Sequence, residues 1–75
     1  MKLTIELETE EDGRIIAEVV ELPGVLVYGQ NESEAIAKAQ ALALRVLADR
    51  VEHGEAKEEV LTLFRLPSAG SSIES

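Results

Sequence analysis

Apolar and charged residues alternate in the first two segments of the chain, which is the pattern of half-buried β-strands. In the first segment, Leu3, Ile5 and Leu7 occupy one face, and glutamate and threonine residues occupy the other. Residues 15–20 form the second segment, and Glu11-Asp12-Gly13 separates the two. An acidic residue followed by glycine between two such runs predicts an antiparallel hairpin.

Two registers of this hairpin compete, because the loop length decides which residues face each other. A two-residue turn at Asp12-Gly13 would put Glu18 beside the apolar face of the first strand. A three-residue loop with Gly13 in the left-handed conformation instead places apolar residues there, namely Ile15, Ala17 and Val19. We expect the second register, since it gives a core face without a carboxylate.

The opposite face of the hairpin is more apolar than a solvated face requires, because it carries Ile16 and Val20 among charged residues. Leu22-Pro23-Gly24 then turns the chain into a third strand, Val25 to Tyr28, which is apolar on both sides. A strand of this kind is typically covered on both faces.

A long helix is predicted from about Glu32 to Glu52. Asn31, followed three residues later by Glu34, predicts its N-terminal cap, and Gly54 predicts its end. One apolar stripe of this helix suffices to cover a three-stranded sheet. A second stripe, rich in small residues, indicates a further contact, for which a neighbouring subunit is the simplest candidate: Ala37, Ala41, Leu44, Ala48 and Val51.

Val60 to Leu66 alternates again and predicts a fourth strand, either at a sheet edge or exchanged between subunits. Residues 67–75 begin with proline and have the composition of a flexible tail. The expected fold class is therefore α+β with the order β-β-β-α-β. A three-stranded antiparallel sheet is packed by one long helix, and a C-terminal strand completes a single domain of residues 1–66.

Composition narrows the classes of function. The chain has 75 residues, no cysteine, and a formal net charge of −8. A domain of this size without disulfides is expected to be a homo-oligomer, either a dimer or a tetramer. The negative charge opposes direct nucleic-acid binding and suits a basic partner. No apolar run is long enough for a signal peptide or a membrane helix, so we expect a cytoplasmic protein without membrane contact.

Few residues suggest catalysis. His53 is the single histidine and lies at the predicted helix end, where an imidazolium complements the exposed carbonyl groups. Glu6, Glu8 and Glu10 on one strand face, with Glu18 on the next strand, leave a divalent-metal nuclease open as an alternative. These carboxylates lie in a spread row, which is typical of a solvated hairpin face. We therefore predict no enzyme activity, no metal and no cofactor.

One arrangement of motifs is more specific than these features. Asp12-Gly13 is followed by Ala17 to Gly24, which ends in Leu-Pro-Gly, and then by Gly29 to Ala35, which ends in Glu-Ala. This order resembles the HicB-like antitoxin family, whose pattern runs acidic-Gly, a strand with Ala, Leu-Pro-Gly-Cys, Gly-x-Thr, and Glu-Ala opening a helix. The resemblance covers residues 3 to about 52.

The chain departs from the family pattern at three positions. Val25 stands where cysteine is frequent, Asn31 where threonine usually caps the helix, and Val20 where proline is often found. Asparagine caps a helix as threonine does, so the expected fold is unaffected.

The resemblance implies a reduced ribonuclease H-like topology without the catalytic residues of that enzyme. It also implies a type II toxin-antitoxin role, in which the protein covers a small, basic HicA-type ribonuclease and its catalytic histidine. Complete antitoxins of the family append a DNA-binding segment, whereas only residues 67–75 follow the predicted fourth strand here. Operator binding is therefore not expected of this chain.

Together these features predict a non-catalytic, oligomeric protein-binding module of the HicB-like antitoxin type. A degenerate ribonuclease H-like metal-dependent nuclease and a small-ligand-binding domain are the alternatives. One of two surfaces should form the oligomer and the other the partner site; their residues are Ile16, Val20, Leu26 and Tyr28 on the sheet, and Leu44, Ala48 and Val51 on the helix. The predicted electrostatic contacts with a basic partner are Glu6, Glu8 and Glu18.

Overall fold

Three antiparallel strands followed by one long helix form the fold, which confirms the α+β class. The computed structural model describes residues 1–67. The strands are adjacent in chain order: β1 (Ile5–Thr9), β2 (Ile15–Val19) and β3 (Leu26–Gly29). The predicted tail lies outside the described residues except for its first residue, Pro67.

The hairpin of β1 and β2 has the register that keeps the carboxylate out of the core. Ile5 lies opposite Val19, and the pairing continues to the loop, where the N–H of Glu10 donates to the carbonyl oxygen of Arg14 at 2.8 Å. Gly13 has a φ of +92°, the left-handed conformation that a three-residue loop requires. The loop length and the apolar alternation thus specify the same pairing.

Helix α1 (Glu32–Glu52) lies across β2 and β3 and forms the core with them. Small residues are the most deeply buried: Ala17 of the sheet and Ala35 and Ala39 of the helix have no exposed surface. Because these residues are small, the helix backbone can lie close to the sheet. Larger buried side chains surround them, namely Ile15, Val19, Leu22, Val25 and Leu47.

The helix approaches most closely at Gly29, the last residue of β3. A Cβ atom placed on Gly29 would lie 2.5 Å from the backbone nitrogen of Ala35 and 2.8 Å from its Cα. Both are backbone atoms, which cannot rotate away as a side chain can. Glycine at this position is therefore a condition for seating the first turn of α1.

Both ends of α1 are capped as predicted. The Asn31 side chain accepts a hydrogen bond from the N–H of Glu34 at 2.8 Å. At the other end the His53 ring Nδ1 lies 2.8 Å from the carbonyl oxygen of Asp49, and Gly54 follows with a φ of +69°. No helix within residues 1–67 combines the length and the apolar character needed to cross a bilayer.

The fourth strand predicted from Val60 to Leu66 is not formed in the part of the chain that the structure describes. A short helix, α2 (Glu58–Leu61), stands there instead, followed by a turn. Its backbone groups bond locally, as when the N–H of Phe64 donates to the carbonyl oxygen of Leu61 at 3.1 Å. Val60 alone of this segment is buried against the core. A short apolar run fits a helical turn as well as a strand, so periodicity could not separate the two.

Candidate functional site

The face of the sheet turned away from α1, called here the outer sheet face, brings together the residues predicted to contact a partner. The strand register aligns them in two rows across the sheet. One row contains Glu8, Ile16 and Tyr28, and the other contains Glu6, Glu18 and Leu26. Arg14 lies directly before β2, and Val20 lies directly after it. On this face β1 thus carries carboxylates, β3 carries apolar side chains, and β2 carries both.

The apolar side of this face is open to solvent. Val20 is 46% exposed, Leu26 is 44% exposed, and the Tyr28 side chain is exposed beside them. Ile16 is half-buried between its strand neighbours. Scattered exposed apolar residues need no explanation, whereas adjacent ones on a single face indicate a contact surface.

Arg14 holds the Tyr28 ring in place, a contact that the sequence analysis missed. The guanidinium carbon lies 4.4 Å from the centre of the ring, which is a cation-π distance. Asp12 orients the arginine, since its carboxylate accepts from the Arg14 backbone N–H at 3.0 Å and from Nε at 2.8 Å. The backbone hydrogen bond, helped by the guanidinium, lowers the pKa of Asp12. The preferred register already placed Arg14 and Tyr28 on one face and could have revealed the pair.

Two carboxylates face each other directly on this surface. Glu6 and Glu18 are cross-strand partners, and both side chains are exposed. Like charges at opposed positions destabilise a sheet, by about 0.2–1 kcal/mol for a typical cross-strand pair. The hairpin therefore retains an unfavourable pair next to its apolar patch.

Glu21 ties the start of the first strand to the end of the second. Its carboxylate accepts from the backbone N–H of Thr4 and from the Thr4 hydroxyl, each at 2.7 Å. The backbone hydrogen bond is the larger cause of the lowered pKa of Glu21, and the hydroxyl adds to it. This bond continues the pairing of the two strands past Ile5 through a side chain.

The lowered pKa of Glu21 predicts a dependence of stability on pH. A carboxyl group whose pKa is lower in the folded state stabilises the fold above its unfolded pKa, and this contribution disappears as pH falls through the folded pKa. We therefore expect Glu21→Gln to be less stable than wild type at neutral pH, and the difference to shrink as the pH falls below the ordinary glutamate pKa of about 4.3. Urea denaturation at several pH values measures the difference. Thr4→Val, which keeps the backbone donor, should show a smaller effect; a difference independent of pH would contradict the prediction.

The second predicted surface, on α1, is exposed and larger than the sequence indicated. Leu44 is 66% exposed, and Ala48 and Val51 are exposed on the same side of the helix. Leu63 and Phe64 of the C-terminal segment lie beside them, and together they line an open apolar cavity of about 180 Å³. These two residues were assigned to a strand by their alternation, so the sequence analysis missed them. The helix stripe and this segment form one continuous surface, called here the helix surface.

Metal-binding geometry is absent from the part of the chain that the structure describes, where no group of three or more histidine, aspartate or glutamate side chains converges on one point. Glu6, Glu8 and Glu18 are exposed carboxylates on the outer sheet face. Comparisons with protein-family models, with curated proteins and with solved structures found no match to this chain.

Proposed function

We propose that this protein is a non-catalytic binding module of the HicB-like antitoxin type that acts in the cytoplasm. Its outer sheet face binds a small, basic ribonuclease and covers the catalytic histidine of that enzyme. The chain acts by occlusion and contributes no reacting group.

The opposed pair of Glu6 and Glu18 is the observation that carries the proposal. An isolated domain gains nothing from two carboxylates facing each other across strands. A lysine or arginine of a partner placed between them would turn a repulsive pair into two attractive contacts. Glu8 lies on the same strand face, and the whole chain carries a formal charge of −8, so a basic protein is also attracted from a distance.

The apolar side of the outer sheet face would supply the affinity. Val20 and Leu26 offer exposed aliphatic area beside the carboxylates. Tyr28 is an aromatic side chain of the kind that often dominates binding energy, and Arg14 restricts its ring before any partner arrives. Protein-protein interfaces usually combine apolar contacts with polar and charged ones.

The test is the variant Glu18→Lys. It converts the repulsive pair with Glu6 into an attractive one, so the free energy of unfolding should rise by about 0.5–1 kcal/mol. The same change should weaken binding of a basic partner about fivefold or more, as expected for reversing one contact charge. The two effects have opposite signs, which a general loss of folding cannot produce.

The binding partner for this test is the small basic protein retained by tagged wild-type protein from its native lysate. Its cleavage of RNA is measured with increasing amounts of each variant. Glu52→Lys is the matched control, because it makes the same charge change on an exposed helical position away from the outer sheet face. Equal inhibition by wild type and Glu18→Lys, or a retained protein without ribonuclease activity, would overturn the proposal.

A further inference from the structure

We propose that the helix surface is the site at which two copies of this chain associate. The two α1 helices pack antiparallel, and the twofold axis passes beside Leu44. This inference goes beyond the proposed function and does not depend on it, because it concerns self-association and leaves the outer sheet face free.

The outer sheet face and the helix surface are both apolar and exposed, but they differ in charge. Two copies of an acidic chain repel each other, and they repel most where carboxylates are concentrated. The outer sheet face carries Glu6, Glu8 and Glu18 around its apolar residues, so it is poorly suited to a second copy. On the solvent side of α1 one stripe is uncharged, with Lys38, Arg45 and Asp49 beside it; the residues of this stripe are Ala37, Gln40, Ala41, Leu44, Ala48 and Val51.

The uncharged stripe of α1 has residue sizes that fit a second, antiparallel copy of the same stripe. Leu44 is its midpoint, with Ala37 seven residues before it and Val51 seven residues after it. An antiparallel pair of helices centred on Leu44 puts the large Val51 of each copy opposite the small Ala37 of the other. This contact extends over about 21 Å, at a rise of 1.5 Å per residue.

The residues on either side of the uncharged stripe also fit a twofold arrangement. In an antiparallel pair related by a twofold axis, each side of the stripe meets the same side of the other copy. On one border lie charges of both signs, and Lys38 of one copy comes near Asp49 of the other. On the other border lie Leu63 and Phe64, and Phe64 is 61% exposed in the isolated chain. A helix pair alone is narrow, and stable interfaces bury about 1,200–2,000 Å² in total. The C-terminal segment supplies the additional width.

Burying the helix surface would stabilise the chain. Three of the four buried residues of α1 are alanines, so the helix itself contributes little apolar side-chain area to the core. Leu44, Leu63 and Phe64 are each more exposed than the apolar residues of the outer sheet face, at 66%, 58% and 61%. Covering them with a second copy adds the burial that a domain of this size lacks.

The absence of native cysteine allows a direct test by cross-linking the full chain. In Leu44→Cys the two introduced thiols meet at the twofold axis, so mild oxidation should convert most of the protein to a disulfide-linked dimer. In Leu26→Cys, the matched control on the outer sheet face, the thiol is similarly exposed but should remain free. Cross-linking through Leu26→Cys, or through neither variant, would overturn the proposal, and cross-linking through Ala48→Cys alone would overturn the register.

Sedimentation equilibrium provides the second measurement. Wild-type protein should have twice the 8.1 kDa mass of the chain, and Leu44→Glu should have the mass of one chain with an unchanged circular dichroism spectrum. Leu44 is exposed, so this change leaves the core intact and tests association rather than folding. Wild-type protein that stays monomeric at about 100 μM would reject self-association, because a dimer with a dissociation constant of about 1 μM would be mostly associated at that concentration.

Discussion

Gly29→Ala is expected to lower the free energy of unfolding by about 2–4 kcal/mol, a large part of the stability of so small a domain. The reason is steric, because the added Cβ would lie 2.5 Å from the backbone nitrogen of Ala35. The chain can relieve this contact only by moving the first turn of α1 away from β3. That movement opens the core beside Ala35 and strains the capped helix start at Asn31.

Urea denaturation followed by circular dichroism measures this loss. Gly54→Ala is the matched control: its added Cβ meets nothing within 4 Å, and only the positive φ is unfavourable, at about 1–2 kcal/mol. The double variant Gly29→Ala with Ala35→Gly should not recover wild-type stability, since the nearest atoms at residue 35 belong to the backbone. A Gly29→Ala loss no larger than that of Gly54→Ala would show that the helix start moves at little cost.

Ala39→Leu is expected to destabilise the fold by about 2–3 kcal/mol, because it overfills a completely buried position on the sheet side of α1. Ala39 is completely buried, and Ala17 of β2 is equally buried. Leucine adds three carbon atoms where neighbouring atoms already fill the space. The helix must then rise from the sheet, or the side chain must adopt an unfavourable rotamer.

Thermal and urea denaturation of Ala39→Leu can be compared with those of Ala37→Leu. Ala37 lies on the solvent side of the same helix, so the same replacement there should change the stability of the dilute protein by less than about 0.5 kcal/mol. Similar destabilisation by both variants would mean that leucine acts through the helix itself, and the packing argument would fail.

The sheet and the long helix could be predicted from the sequence because each depends on local signals that agree with the apolar pattern. The hairpin register followed from one fact, that the other register brings Glu18 to the core face. The helix bounds followed from Asn31 and Gly54, which have specific roles in capping. In both cases the wrong choice carries a clear energetic cost.

Features that depend on where the helix docks could not be predicted. Leu7 was placed on the core face of the sheet, yet it is 38% exposed because α1 lies mainly over β2 and β3. The C-terminal segment was assigned to a strand by its alternation. The same alternation is compatible with a single helical turn that buries Val60 alone, which is what the structure has. The helix surface could not be predicted in full for the same kind of reason. Leu63 and Phe64 lie beside Leu44 because of the path that the chain takes after α1.

The alanines that join α1 to the sheet also bear on the entropy of folding. Alanine has no side-chain rotamers to lose, whereas burying a leucine costs about 0.5–1 kcal/mol in lost rotamer freedom. The contact between helix and sheet therefore forms with little ordering of side chains. Leu44, which is exposed, keeps its rotamers in the isolated chain. In the proposed dimer, Leu44 would be ordered only on contact with the second copy, so part of the conformational entropy that a larger domain loses on folding would be lost on association.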